Sequence, residues 1–175
     1  MDVRRDLNTA MDYYFTHYAE KAAAVPKVKE ANIQKLFQQY MNEESKVMDD
    51  EGIEKFYAAM GVNAETDIVV LWISRHMEAE NIGEYTWSEF LKGCQKLGVD
   101  SISGFKSILP GLYNDLKQED KYKETYKFTF SFASARNYKN VDKAIAIALW
   151  TLFFGKKCSF LNLWEQFLED EKKNL

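Results

Sequence analysis

Apolar residues recur every three to four positions along nearly the whole chain, and this spacing is the strongest constraint on the fold. Ile33, Leu36, Phe37 and Tyr40 would lie on one face of a helix, and similar groups follow as far as residue 168. The 175 residues include only 8 glycines and 2 prolines. That number is too small for the frequent turns of a β-sandwich or β-barrel. We therefore predict an all-α single domain.

Capping residues mark several helix ends. Asp49 and Asp50 offer side-chain oxygens for the start of a helix that Gly61 ends. A further helix is predicted to start near Asn63. The sequence TWSE at residues 86–89 has the spacing of a capping box, in which a threonine and a glutamate three residues later accept from each other's backbone N–H groups. These signals predict three consecutive short helices.

Helical spacing continues in the second half of the chain. Asp100 or Ser101 is expected to cap a helix in which Pro110 predicts a kink or a break. The sequence YKFTFSFA at residues 126–133 alternates aromatic and polar residues as a strand does. Its aromatic residues also fit one helical face, and no partner strand is visible, so we predict a helix. Two more helices are predicted over residues 141–154 and 160–171.

Charge and cysteine content exclude several classes of function. The formal net charge is -4, which gives no electrostatic attraction to phosphate backbones, so we expect no nucleic-acid partner. No apolar run approaches 18 residues, so we expect no membrane partner. Cys94 and Cys158 are the two cysteines, too few for a disulfide framework or a four-thiolate zinc site. The chain is interpreted as intracellular with reduced thiols.

The sequence contains few residues in a pattern that suggests catalysis. His17 and His76 are the two histidines, and no motif places a nucleophile and an orienting carboxylate beside either of them. Cys94 falls on the apolar face of its helix and is interpreted as a core residue. No glycine-rich phosphate loop is present. We expect no enzymatic activity and no cofactor. The hypothesis of a small helical enzyme would be supported only by an activity that is lost when His76 is changed.

One loop has part of the pattern of a calcium-binding EF-hand. In a count that starts at Glu78, Gly83 takes position 6, Tyr85 position 8 and Glu89 position 12, as the EF-hand loop requires. Ile82 takes position 5, where a calcium ligand is needed, and its side chain is apolar. The count predicts a loop of EF-hand shape that does not hold calcium and contains no metal site.

The first of the two loops in chain order, around residues 48–57, can be counted in a similar way. Here glycine falls at position 7, and Tyr57 falls at position 12, where a carboxylate is needed. Together the two counts predict EF-hand-like helix pairs packed with additional helices. An EF-hand-like calcium-binding or protein-interaction module therefore remains the alternative function, and a rise of melting temperature with calcium would support it.

Six short stretches occur in the same order as in a known family and cover roughly residues 30–172. They are EGIEKF (51–56), EYTWSEFLKGCQKLGVDSI (84–102), Ile108 to Pro110, YKFTFSFA (126–133), AIAIALWTLFF (144–154) and FLNLWEQFLED (160–170). Through them the chain resembles the potentiating-neddylation (PONY) domain of the defective-in-cullin-neddylation family. The resemblance assigns residues 27–175 to this domain. Residues 1–26 resemble the last helix of a ubiquitin-associated domain.

The resemblance implies a scaffold function without catalysis. Family members hold a cullin and the conjugating enzyme of the neddylation pathway together, in the nucleus and the cytoplasm, so that the modifier passes to a cullin lysine. Proximity and orientation of the two partners would supply the rate effect. In the family, the cullin docks on acidic residues beyond the helix that resembles residues 160–170. We expect that docking segment to be missing here, so that this form binds the conjugating enzyme and stimulates transfer little.

The resemblance also implies a partner-binding pocket for the acetylated N-terminal methionine of the conjugating enzyme. Carried over by position, its lining residues are Ile53, Val70, Ile73, Ser74, Met77, Ile82, Tyr85, Phe132, Leu149 and Leu152. Two of them depart from the animal members: Leu149 stands in place of a tyrosine, and Ile82 stands in place of a glutamine. The first change removes a hydroxyl contact. The second changes little if the contact there is made by the main chain.

Overall fold

Seven α-helices account for most of the chain that the structure describes. The computed structural model describes residues 28–134 and 141–155, together with positions 161, 163, 166 and 167. Within these residues no β-sheet is found, only isolated bridges, which confirms the all-α prediction. The helices are α1 (Glu30–Tyr40), α2 (Asp50–Met60), α3 (Val69–Met77), α4 (Trp87–Leu97), α5 (Ile102–Asp115), α6 (Glu119–Ala133) and α7 (Lys143–Phe154).

Some of the predicted features lie outside this part of the chain. They are the N-terminal helix of residues 1–26 with His17, residue Cys158, and most of the helix predicted over residues 160–171. None of the seven helices described above is long and apolar enough to cross a membrane.

The helix starts in the first half of the chain follow the capping signals, with one exception. Gly52 N–H donates to Asp49 Oδ1 at 3.1 Å, and Thr86 and Glu89 form the complete capping box. The helix predicted from Asn63 begins later, at Val69. The Asn63 side-chain oxygen accepts from two following N–H groups instead, each at 2.9 Å, which fixes a turn ahead of the helix.

Helix α5 shows which of two predicted caps is used and how proline is accommodated. Ser101 accepts from Gly104 N–H and caps α5, whereas Asp100 accepts from Lys29 N–H and from Asn32 at the start of α1. The helix continues through Pro110, so a break there is wrong. Pro110 lies on the exposed face of α5, where water can reach the carbonyl that has lost its N–H partner.

Helices α1 to α4 form two helix–loop–helix units joined through their loops. Met48 N–H donates to Tyr85 O at 2.9 Å, and Tyr85 N–H donates to Met48 O at 2.8 Å. This antiparallel bridge fixes the two loops side by side. Beneath it Phe56 of α2 packs edge-on against Phe90 of α4 and Phe105 of α5, with ring centroids 5.3 and 5.2 Å apart. Such pairs contribute about 0.5–1.5 kcal/mol each beyond area burial.

The bridge corrects the register predicted for the first loop. Lys46 and Gly83 have positive φ, 59° and 84°, and each lies two residues before its bridging residue. Gly83 is at position 6 of the EF-hand count, so Lys46 holds position 6 of the first loop and Met48 holds position 8. Position 12 then falls on Gly52, not on Tyr57. The prediction was wrong because a lysine, not a glycine, adopts the left-handed conformation in that loop.

Helix α6 packs on α3, and α7 packs on α6. The segment YKFTFSFA is helical, as predicted, and forms the second half of α6. Its end is fixed by a bridge between Ser134 and Val141, after which Asp142 caps α7 by accepting from two backbone N–H groups. The Tyr122 hydroxyl of α6 donates to the carbonyl oxygen of Phe153 in α7. These contacts place α7 beside α6.

We predict that Gly52→Ala lowers the free energy of unfolding by about 1–3 kcal/mol or more. A Cβ at Gly52 would lie 2.1 Å from the carbonyl oxygen of Tyr40, which is backbone and cannot move aside cheaply. The control is Gly111→Ala in α5, where a Cβ has open space and should stabilise the helix by about 0.5–1 kcal/mol. Urea denaturation of both variants measures the difference, and equal effects would contradict the close approach of α1 to α2.

Candidate functional site

A cavity of about 850 Å³ lies between α2, α3 and α7. The end of α6, the loop before α4 and the turn before α3 also contribute lining residues. Its walls are mainly apolar, with Thr66 and Thr151 also among the lining residues, and its charged residues are all carboxylates. The apolar lining residues are Ile53, Ala64, Val70, Leu71, Ile82, Phe132, Ile145, Ala148, Leu149 and Leu152; the rim carboxylates are Asp50, Glu51, Glu54 and Glu65.

The structure brings together most of the residues predicted for the pocket. Eight of the ten line this cavity: Ile53, Val70, Ser74, Ile82, Tyr85, Phe132, Leu149 and Leu152. The other two do not line it. Ile73 and Met77 are fully buried in the core, and Met77 packs so closely under α4 that a Cβ on Gly93 would lie 2.3 Å from its Cγ. The binding role of the eight stays a prediction.

Behind the cavity wall, three buried hydroxyl groups form a continuous hydrogen-bonded chain. Ser74 Oγ donates to the carbonyl oxygen of Val70 at 2.8 Å. It lies 2.6 Å from the Tyr85 hydroxyl, which is 3.1 Å from the Tyr57 hydroxyl. Because the single Ser74 proton is engaged by the Val70 carbonyl oxygen, Tyr85 donates to Ser74. Tyr57 then donates to Tyr85, with the Val70 carbonyl oxygen as a second, more distant acceptor at 3.4 Å. The three hydroxyls satisfy one another, so the wall in front of them can remain apolar.

Burial also sets the protonation state of the two tyrosines. Desolvation raises the pKa of Tyr57 well above its ordinary value. It also raises the pKa of Tyr85, against the opposing effect of the hydrogen bonds with Ser74 and Tyr57. Both hydroxyls therefore keep their protons throughout the physiological pH range, and the donor chain is maintained.

The loop before α4 is tied to α6 at the edge of the cavity. Ile82 N–H donates to the carbonyl oxygen of Phe132 at 3.2 Å, while the Ile82 side chain is 41% exposed. Gly83 follows with φ of 84°, and a Cβ there would lie 2.7 Å from Asp50 Oδ1. The loop therefore contacts the start of α2 closely, and Ile82 stands at the cavity mouth.

The prediction missed four apolar lining residues, Ala64, Leu71, Ile145 and Ala148. For the last two the sequence contained a signal. Ile145 and Ala148 lie on α7 at the spacing that places them on the same helical face as Leu149 and Leu152. Once Leu149 and Leu152 are assigned to the pocket, helical periodicity predicts that Ile145 and Ala148 line it as well. Tyr57 had no comparable signal, because its hydrogen bond with Tyr85 joins residues that are 28 positions apart.

The loop with the partial calcium pattern is held by hydrogen bonds to its position-12 carboxylate. Glu89 Oε1 accepts from Glu80 N–H at 2.8 Å, and Glu89 Oε2 accepts from Thr86 N–H at 2.6 Å. Both oxygens that would bind calcium in an EF-hand are thus engaged by donors of the same loop. Within the part of the chain that the structure describes, no group of three or more potential metal ligands is found.

The candidate catalytic residues lie in structural positions. His76 Nδ1 is 2.8 Å from the Trp72 carbonyl oxygen, and its ring packs edge-on against the Trp72 ring at 4.6 Å between centroids. Cys94 is fully buried, and burial, with a smaller effect of Asp100, raises the pKa of its thiol to about 12. Neither residue lines the cavity.

Comparison with known proteins identifies the relatives of this chain. Residues 104–175 match a family model described as cullin binding. DCN1-like protein 3 of Xenopus laevis is 35% identical over 146 residues, which cover 82% of this chain and 48% of that protein. Defective in cullin neddylation protein 1 of Caenorhabditis elegans is 28% identical over 170 residues, 93% of this chain and 57% of that protein. These comparisons match the chain to the defective-in-cullin-neddylation family.

The human DCN1-like protein 3 gives a similar comparison, at 33% identity over 146 residues with the same coverage as the Xenopus protein. The chain spans about half the length of the curated relatives that it matches. The part that matches the cullin-binding family includes α6 and α7, and so it includes Phe132 and the apolar α7 wall of the cavity.

We predict that Tyr85→Phe lowers the free energy of unfolding by about 1–3 kcal/mol, because it removes the two buried hydrogen bonds that the Tyr85 hydroxyl makes with Ser74 and Tyr57. The matched control is Tyr126→Phe, since the Tyr126 side chain is 41% exposed and should change stability by less than about 0.5 kcal/mol. Chemical denaturation of the two variants measures both changes. A Tyr85→Phe variant as stable as the control would contradict the hydroxyl chain.

We predict that Glu89→Gln lowers the free energy of unfolding by about 1–3 kcal/mol, because an amide offers one accepting oxygen where the carboxylate offers two. Glu80→Gln is the control, since the exposed Glu80 side chain has no hydrogen bond among the described residues. Adding about 1 mM calcium chloride should leave the melting temperature of the unchanged protein where it was. A calcium-dependent rise that disappears in Glu89→Gln would contradict this assignment and support a calcium sensor.

Proposed function

We propose that this chain is a non-catalytic scaffold component of cullin neddylation. In this proposal the apolar cavity binds the acetylated N-terminal helix of the neddylation conjugating enzyme, and the chain brings that enzyme to a cullin. The observation that carries the proposal is the convergence of eight predicted pocket residues, from four helices and one loop, on one cavity. These residues are distant in sequence, so their convergence does not follow from helical periodicity alone.

The size and chemistry of the cavity suit a methionine followed by a turn of helix. Its volume, about 850 Å³, falls in the range of ligand pockets, roughly 300–1,000 Å³. Burying a methionine side chain contributes about 1.5–3 kcal/mol. Most wall residues are apolar, and the buried hydroxyls of Ser74, Tyr85 and Tyr57 are already hydrogen-bonded. An apolar side chain can therefore enter without leaving a buried polar group of the protein unpaired.

Acetylation lowers the free-energy cost of moving the peptide N-terminus from water into the cavity. A free α-ammonium group would lose its hydration in an apolar cavity and would need a partner there, at a cost of several kcal/mol. An acetyl amide carries no charge and needs only hydrogen bonds at its N–H and carbonyl groups. The cavity is therefore expected to prefer the acetylated form.

The comparisons support the cullin part of the proposal. The family that matches residues 104–175 is described as cullin binding, and the C. elegans relative is named for a defect in cullin neddylation. A scaffold acts by holding two partners in a productive orientation, which converts an encounter of separate molecules into a step within one complex. This role requires no acid, base or nucleophile from the chain, in agreement with the structural positions of His76 and Cys94.

We predict that a peptide of the conjugating enzyme's N-terminal helix binds with micromolar affinity, about -8 kcal/mol, when its N-terminus is acetylated. The same peptide with a free amine should bind at least about tenfold more weakly. Isothermal titration calorimetry measures both affinities. Equal affinities would contradict the role of acetylation, and no binding of either peptide would overturn the proposed function.

Two surface variants test whether the cavity is the site. Ile82→Asp places a charge at the cavity mouth and should reduce binding of the acetylated peptide by more than about tenfold. Ile82 is 41% exposed, so folding should be retained, and the melting temperature checks this. The control is Phe130→Asp, since Phe130 is 59% exposed and does not line the cavity. Equal loss in both variants would place the binding site elsewhere.

A further inference from the structure

We propose that Tyr113 is a positioning residue for the cavity, because its hydroxyl group holds, through Asp67, the turn that forms one side of the cavity. The inference rests on the proposed function and adds a residue that lies outside the binding site. Tyr113 belongs to α5 and does not line the cavity. The turn consists of residues 63–67 and connects α2 to α3.

The turn contributes to the cavity but is not anchored by burial. Three of its residues, Ala64, Glu65 and Thr66, line the cavity. Ala64 is half-buried, and Glu65 and Thr66 are exposed. Little apolar surface is therefore removed from water here, and packing contributes little to fixing the position of the turn. Hydrogen bonds are left to hold this side of the cavity in place.

Most hydrogen bonds of the turn are internal to it. The Asn63 side-chain oxygen accepts from the backbone N–H groups of Glu65 and Thr66, each at 2.9 Å. Asp67 N–H donates to the carbonyl oxygen of Asn63 at 3.1 Å. These bonds set the shape of the turn. They do not determine where the turn lies relative to the helices around it.

Asp67 connects the turn to its surroundings in two directions. Its Oδ1 accepts from Val69 N–H at 3.0 Å, at the start of α3. Its Oδ2 accepts from the Tyr113 hydroxyl, which lies 46 positions further along the chain. Among the residues that the structure describes, no other hydrogen bond or ion pair joins residues 63–67 to a helix beyond α3. The Tyr113 hydroxyl is therefore the link between this side of the cavity and α5.

The chemistry of this link keeps it in place at physiological pH. A hydroxyl that donates to a carboxylate forms a charge-assisted hydrogen bond, which is stronger than a bond between neutral groups. Desolvation, together with the hydrogen bond and the charge of Asp67, raises the pKa of Tyr113 to about 12. The hydroxyl consequently keeps its proton and remains a donor.

A fixed turn matters for binding because of the entropy cost of ordering a loop. If the turn is already held in place, a ligand that enters the cavity meets Ala64 and Thr66 where they are needed. If the turn is loose, binding has to order it, and that cost lowers the affinity. Loss of the Tyr113 hydroxyl should therefore weaken binding although the ligand never contacts it.

The first test is Tyr113→Phe, which keeps the ring and removes the hydroxyl. Isothermal titration calorimetry should show the acetylated peptide of the conjugating enzyme binding about fivefold more weakly than to the unchanged protein. Hydrogen exchange of the backbone N–H groups of residues 63–67 in the free protein should be about threefold faster, and that of α1 unchanged. The control is Tyr126→Phe, since Tyr126 is 41% exposed and does not line the cavity.

A second variant tests whether Tyr113 acts through Asp67. Asp67→Ser keeps a side-chain oxygen that can accept from Val69 N–H, but the serine is too short to reach Tyr113. It should weaken peptide binding by the same factor as Tyr113→Phe. The double variant should bind no more weakly than either single variant, because both changes remove one bond. Melting temperatures verify that every variant is folded at the temperature of the titration.

The outcomes separate this inference from the proposed function. If the unchanged protein binds the acetylated peptide and Tyr113→Phe binds it equally well, the inference is overturned while the proposed function stands. A loss in the double variant equal to the product of the two single losses, about 25-fold, also overturns it, because the two residues then act independently. If the unchanged protein does not bind the peptide, both proposals are overturned.

Discussion

The antiparallel bridge between Met48 and Tyr85 is the contact on which the arrangement of this protein depends. Its two backbone hydrogen bonds set the register of the two loops. That register directs the Tyr85 side chain into the hydroxyl chain with Ser74 and Tyr57. It also leaves Ile82 close enough for its N–H to bond Phe132 at the end of α6. The bridge therefore positions both a wall of the cavity and one edge of its mouth.

The second loop keeps its EF-hand shape through internal hydrogen bonds. Glu89 accepts from backbone donors at two points of the loop, with one oxygen for each. A carboxylate that bridges two backbone N–H groups is a charge-assisted contact, and it supplies the closure that a cation would otherwise give. The first loop has Gly52 at the equivalent position, where even a methyl group would collide with α1. The helix pair thus serves to support the cavity.

Helix α7 shows how an apolar segment can serve two surfaces. Its sequence, KAIAIALWTLFF, is apolar on all sides, yet Phe153 is its only buried residue in the part of the chain that the structure describes. One face lines the cavity, and another lines a groove of about 540 Å³ with Tyr126 and Phe130 of α6. A helix apolar on all sides is normally covered on all sides. Its partial exposure agrees with the proposal that a partner covers the cavity face.

The sequence by itself determined the helices and most of their ends, because caps, left-handed glycines and apolar spacing are local signals. The caps at Asp49 and Gly61 and the Thr86–Glu89 capping box, for example, are where they were predicted. It also determined the apolar face of α7, since Ile145 and Ala148 follow from Leu149 and Leu152 by periodicity. The pocket residues came from family resemblance, which failed to distinguish the core residues Ile73 and Met77 from the lining. Only the tertiary structure decided the first loop's register, the hydroxyl chain and the meeting of Glu54 with Glu65 at one rim. Each of these joins residues of different elements, and no local pattern encodes which elements come into contact.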